Sequence, residues 1–249
     1  MSKPWAFITG ISDGVGQCVA RKLAEQRYNV VGLSRTEPDY LSGFPNIGWF
    51  HFDLSQKFND DEFTVSLSRF TERIDLAIIN AATAFHSPLA AIPGDICDRM
   101  IATNLTSTIR MLRHLIPIMP PGSQTVFVNS SVEYHPAPNM GLYAALKAAQ
   151  SHLASTLNVE HFSLGIRFKV LRPCFINTSF ARKAGEPAAN INENAGLDPD
   201  LVADDLIRLT RKNVFMLNSG RFSKFLYVLN RISPGLCRWL STMKHRERV

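Results

Sequence analysis

Trp5-Ala6-Phe7-Ile8-Thr9-Gly10-Ile11-Ser12-Asp13-Gly14-Val15-Gly16 is the stretch whose reading decides the fold. A short apolar run stops at glycines spaced Gly-x-x-x-Gly-x-Gly, and behind them Val15, Val19 and Leu23 recur at helical spacing. Strand, Gly-rich turn and helix in that order make a cradle for a pyrophosphate. The glycines let the backbone come close, and the helix N-terminus offers free N–H groups and positive partial charge. Gly10, Ser12, Asp13, Gly14 and Val15 are the candidate contacts. An ordinary tight turn shares this local pattern, so the elements that follow must carry the assignment.

They alternate. Apolar runs predict strands at Asn29–Ser34, 48–53, 76–80, 125–129, 166–171 and 214–217, and helical spacing predicts helices at 95–116, 142–160 and 200–211. Alternating strands and helices predict an α/β, Rossmann-type doubly wound parallel sheet of about seven strands with helices on both faces, its ligands at the strands' carboxyl ends. A single domain spans 1–249, with a core at 4–217 and a basic, amphipathic helical extension at 218–249. At the end of the second strand, Ser34 stands where an NAD-specific site wants a carboxylate for the ribose, and Arg35 follows. A hydroxyl and a guanidinium suit a 2′-phosphate, so NADP(H) is preferred and NAD(H) possible; Arg35 as a plain loop charge is the other reading. Asp53 and Leu54 can meet the adenine edge. Asn80 and Ala81 close the fourth strand, and Asn104 interrupts the apolar side of the 95–116 helix. A buried, helix-bending Asn104 is one reading; a capping or surface Asn is the one the residues favour. From 179 to 196 the chain is Ala/Asn/Gly-rich without periodicity and reads as a lid or a poorly ordered loop.

Past Ser130 and Ser131 and a Pro-rich loop, Tyr143-Ala-Ala-Leu-Lys147 opens an Ala-rich helix. Residues four apart share a helix face. Bringing a phenol from its usual pKa to near 7 needs roughly 4 kcal/mol. An ammonium about 4 Å away supplies that much at an effective dielectric of about 20. Tyr143 can therefore act as a general acid/base, with a hydroxyl from Ser130 or Ser131 holding the substrate oxygen.

Bulk properties exclude other classes. The chain's 249 residues, 45% hydrophobic and 19% charged, read as globular. Cys18, Cys97, Cys174 and Cys237 lack metal-ligand spacing and read as reduced thiols, with no metal site expected. No run resembles a signal peptide or a membrane span, so a soluble, cytoplasmic protein is expected. The net charge of +6 is concentrated at the end: nine Lys/Arg and one acid, Glu247, lie from Arg211 onward. The remainder has 18 bases against 20 acids, which argues against a nucleic-acid groove in the body.

Taken together, Thr9-Gly10-x-x-x-Gly14-x-Gly16, Asp53, Asn80-Ala81, Asn104, Ser131, Tyr143-x-x-x-Lys147 and Pro173…Thr178 resemble the short-chain dehydrogenase/reductase family over residues 4–217. The resemblance implies an oxidoreductase interconverting a carbonyl and an alcohol, working as a homodimer or homotetramer. Tyr143 would exchange the proton, Lys147 would lower its pKa and bind the nicotinamide ribose, and Ser131 would hold the substrate oxygen. Asn104 would hold a water in a relay to Lys147, and Ile176 with Thr178 would anchor the carboxamide. Ala82, Leu146 and Cys174 depart from the family's usual Gly, Ser and Gly, and Asp13 stands where some NADP-dependent relatives carry a base. Counting thirteen back from the tyrosine selects Ser130, whereas alignment on Asn-Ser-Ser selects Ser131; Ser131 is preferred. Phe85, His86, Tyr134, His135, Phe175 and Phe180 suggest an apolar or aromatic substrate. An NADP(H)-binding sensor or scaffold without turnover is the alternative. The tail's Phe222, Phe225, Leu226, Leu229 and Ile232, with Arg221, Lys224 and Arg231, fit either peripheral membrane contact through 221–249 or a helix packed on the body or a dimer interface.

Overall fold

The computed structural model describes residues 3–185 and 196–246. Seven parallel strands form one sheet in the order β3-β2-β1-β4-β5-β6-β7. They are β1 (Trp5–Thr9), β2 (Asn29–Ser34), β3 (Ile47–His51), β4 (Leu76–Ile79), β5 (Gln124–Val128), β6 (Arg167–Pro173) and β7 (Met216–Ser219). The order reverses between β1 and β4, so a crevice opens there at the carboxyl ends. The last strand begins at Met216, two residues later than the apolar run suggests, although the carbonyl of Phe215 just ahead of it already accepts from Val170 N.

Each strand alternates its side chains between two cores. Phe7, Val31, Phe127 and Phe168 face α2 (Asp60–Ser68), α4 (Ser107–Leu115) and α5 (Gly141–Glu160). Ile8, Val30, Ile78 and Val126 face α1 (Gly14–Glu25) and α7 (Pro199–Thr210). Burial on both faces explains why the strands read as continuous apolar runs. Asn59 caps α2 by accepting from Glu62 N, and Asp198 caps α7 by accepting from Asp200 N.

The helix predicted at 95–116 is α3 (Gly94–Ile101) and α4 joined by a π-helical segment, Ala102–Thr106. Asn104 lies in that segment, fully buried. Its amide forms a two-way clasp with Thr83, accepting from Thr83 N at 2.9 Å and donating to Thr83 O at 2.7 Å. The favoured surface or capping reading of Asn104 is therefore overturned: a π-bulge turns its side chain inward to satisfy the strand-end loop. The segment predicted as a loop from 179 opens with a short helix, α6 (Phe180–Lys183); residues 186–195 of it lie outside the described residues. The tail forms α8 (Arg221–Ile232) and α9 (Pro234–Arg246), and no described helix is long and apolar enough to cross a membrane.

Candidate active site

The glycine turn is closed tightly. A side-chain carbon on Gly16 would lie 2.0 Å from the carbonyl oxygen of Gly10, so only glycine lets α1 start this close under the turn. Gly10 and Gly14 take φ of +71° and +56°, the left-handed region that glycine adopts without steric cost. Asn80 fastens the turn to β4: its Nδ2 donates to the carbonyls of Thr9 (3.0 Å) and Gly10 (3.3 Å). Thr9 Oγ1 accepts from the backbone of both Asn80 and Ala81 at 2.9 Å.

Above the turn runs a cleft of about 770 Å³. Every residue assigned from the sequence to the dinucleotide lines it, from Gly10 through Arg35, Asp53 and Leu54 to Ile176 and Thr178. The free N-terminus of α1 and the bare glycine backbone fit a pyrophosphate. Asp13 is not a lone negative charge in that cradle. Ser179 Oγ donates to it at 2.5 Å and Lys183 Nζ at 2.9 Å, and these bonds hold its carboxyl below the usual range. This clamp from α6 was not legible in the sequence, since it joins positions about 170 residues apart across a segment without periodicity.

Ser34 takes a different role from the one expected. Its hydroxyl donates to Thr36 O at 2.7 Å and accepts from Trp49 Nε1 at 2.8 Å, so it is already engaged within the fold. Arg35 is left as the exposed cation of that rim. Burial would raise Asp53, but bonds from Ser55 N (2.9 Å) and Ser55 Oγ (2.8 Å), together with the Arg35 charge, lower it.

Tyr143 and Lys147 lie on the first turns of α5, both buried and both lining the cleft. The ammonium of Lys147 donates to Val128 O at 2.9 Å and to Gln150 Oε1 at 3.1 Å, and lies 5.7 Å from the Tyr143 ring centre. Burial pushes the phenol up, whereas an ammonium adjacent to its oxygen would bring it down. The difference has a geometric cause: Lys147 is aimed at the β5 carbonyl and at Gln150. Burial lowers Lys147 itself to about 8, against the opposing pull of the Glu133 carboxylate.

Gln150 was missed in the sequence. Its Nε2 donates to the Asn104 carbonyl at 2.5 Å while its Oε1 accepts from Lys147. A side-chain amide thus bridges Asn104 and Lys147 where the family resemblance implies a water. The available signal was a single polar residue three positions after Lys147, on the same face of an Ala-rich helix.

Of the two serines, Ser130 lines the cleft and the preferred Ser131 does not. The short helical turn Ser131–Glu133 begins at Ser131 and buries it, with its carbonyl paired to His135 Nδ1 at 2.7 Å. Ser130 is the cap of that turn and stays on the cleft side. Tyr134 also leaves the pocket: its hydroxyl donates to Ser223 O at 2.8 Å and its ring meets Tyr227 at 5.5 Å. Phe85, Phe175 and Phe180 do line the cleft, with the Phe180 ring 5.7 Å from that of Tyr143. Behind α5, Glu133 is ion-paired with Arg172 and accepts from Ser151 at 2.5 Å, and burial raises its carboxyl despite both.

The pattern of the family described as short chain dehydrogenase matches residues 4–189. The chain belongs to the short-chain dehydrogenase family. This short-chain dehydrogenase is accordingly an oxidoreductase. It is 28% identical over 194 residues to bovine dehydrogenase/reductase SDR family member 4, covering 74% of this chain and 70% of that one. A 3-oxoacyl-acyl-carrier-protein reductase of Buchnera aphidicola is 29% identical over 194 residues, covering 74% and 78%. Among solved structures, a Burkholderia cenocepacia short chain dehydrogenase in complex with NADP superposes with a TM-score of 0.84 at 18% identity, covering 96% of this chain and 98% of that one. A Burkholderia phymatum relative in complex with NAD gives 0.80 at 20% identity, covering 92% of each chain.

Proposed function

We propose that this short-chain dehydrogenase interconverts an apolar or aromatic ketone or aldehyde with its alcohol, using NADP(H) in preference to NAD(H). The observation that carries the reading is a buried Tyr143–Lys147 pair on the wall of the same cleft as the glycine cradle. Bound dinucleotide supplies or accepts the hydride. The Gly10–Val15 turn would hold its pyrophosphate, Arg35 its 2′-phosphate, and Ile176 and Thr178 its nicotinamide end.

The chain's own residues manage the proton. A phenol pushed up by burial is protonated at neutral pH, the form that donates to a carbonyl oxygen during reduction. Lys147, lowered to about 8, still carries its charge at neutral pH and favours the phenolate that develops as the proton leaves. Ser130 would hold the carbonyl oxygen, and the cleft's phenylalanines would receive an apolar substrate body. The solved relatives bound to NADP or NADPH, with the exposed Arg35 here, support the cofactor preference.

The test mixes the protein with NADPH and a panel of ketones and aldehydes and follows loss of reduced-nicotinamide absorbance. Tyr143→Phe should lower turnover about 100-fold or more while NADPH still binds. A panel without turnover, despite tight NADPH binding, would replace this reading with that of a binding protein.

A further inference from the structure

Helix α8 turns a polar row inward, Ser223, Tyr227 and Asn230, spaced four and three apart, beside the half-buried Leu226 and Leu229. Ser223 Oγ donates to Arg172 O at 2.8 Å, Tyr134 bonds Ser223 from the loop ahead of Tyr143, and Tyr227 packs on Tyr134. The outward row is apolar. Phe225, Val228 and Ile232 recur at i, i+3 and i+7, with Phe225 58% and Ile232 79% exposed, and exposed Phe222 widens the stripe. Helix α9 repeats the pattern with Leu236, Trp239, Leu240 and Met243 exposed, Trp239 by 56%. A helix that only covered the body would turn these side chains the other way.

Charge identifies the occupant. Lys224 and Arg231, seven apart, flank the α8 stripe, and Arg221 precedes it. Between Asp205 and Glu247 the chain has no acidic residue at all. The same face of a second copy set against this one would bring like charges together without a carboxylate to offset them. An anionic lipid surface instead accepts both parts: aromatic and aliphatic side chains enter the headgroup boundary while Lys and Arg meet the phosphates. We propose that α8 and α9 form a docking surface for an anionic bilayer, lying on it without crossing it. The N-terminal turn of α8 bonds Arg172, next to the cleft-lining Pro173 and Cys174, so a docked molecule holds the substrate end of its cleft near the lipid.

Flotation of the full chain with extruded vesicles tests this, independently of any turnover. The chain should float with vesicles of phosphatidylcholine mixed with phosphatidylglycerol and not with phosphatidylcholine alone. High salt should release it, since the screening length falls from about 10 Å at 0.1 M to about 3 Å at 1 M. Lys224→Glu with Arg231→Glu should lower the bound-to-free ratio about tenfold or more. Phe225→Ser with Ile232→Ser should lower it similarly, with thermal midpoint and NADPH binding unchanged. A wild-type chain that ignores both vesicles overturns the proposal, whether it stays monomeric or pairs through this face. So does equal, salt-independent binding to both compositions.

Discussion

On the proposed function, Lys147 and Gln150 set the acid–base behaviour of the site, and reduction needs Tyr143 protonated and Lys147 charged. Burial holds the phenol protonated well into alkaline solution, so the first group to fail as pH rises is Lys147, at about 8. The expected outcome is a kcat/KM for reduction that is level at neutral pH and falls along a limb centred near 8. Alcohol oxidation should rise with pH, because there Tyr143 must accept a proton. Gln150→Leu removes one acceptor from the ammonium in a dry environment, worth roughly 1.5–3 kcal/mol. That corresponds to a downward shift of the limb by about one to two pH units. A variant with lower activity but an unmoved limb would show that Gln150 only supports packing. Other residues explain why the site was only partly legible. Ser130 and Ser131 are adjacent and chemically identical, and only the turn beginning at Ser131 decides which one faces the cleft. Ser34 reads as a phosphate ligand until the Thr36 carbonyl takes its hydroxyl proton, with Trp49 on the neighbouring strand donating to its oxygen.

At the scale of elements, position in the sheet can be read from the chain because β1, β2, β4 and β5 are buried on both faces and rich in β-branched and aromatic residues. Local propensity and tertiary burial agree there. Legibility fails where an element's form depends on a distant partner. Asn104 looks like a surface residue until Thr83 and Gln150 engage it inside a π-bulge. Tyr134 looks like a pocket aromatic until α8 captures it. The junction of β6 and α7 is a similar case. Lys169 extends from β6 and donates to the carbonyls of Leu209 (3.1 Å), Thr210 (3.4 Å) and Lys212 (2.7 Å). It thereby satisfies the C-terminal end of α7, where a cation is also favoured by the helix dipole. Lys169→Met keeps the stem but strands those carbonyls, and should lower stability by about 1.5–3 kcal/mol. Urea unfolding should show a lower midpoint with an unchanged slope. An unchanged midpoint would mean that water replaces the ammonium at no cost.

Across the whole molecule, the cleft draws on the carboxyl ends of β1, β2, β4, β5 and β6 together with α1, α5 and α6, so a ligand laid along it ties most of the fold together. Anything that binds only the folded state raises its stability by mass action, by about 2.7 kcal/mol at a hundredfold excess over Kd. For a domain of this size that corresponds to a rise in Tm of about 5–10 °C. On the proposed cofactor preference, with Ser34 engaged by Thr36 and Trp49, discrimination between the two dinucleotides would rest on Arg35. NADPH should therefore raise Tm further than NADH at equal concentration. Arg35→Asp exchanges a phosphate partner for a carboxylate that repels the 2′-phosphate and accepts from a ribose hydroxyl, so the order of the two shifts should reverse. Scanning calorimetry of both proteins with each dinucleotide decides the point, since it reads binding without needing a substrate. If the order is the same in both proteins, Arg35 is a solvated loop charge and the cofactor preference rests on other residues of the rim.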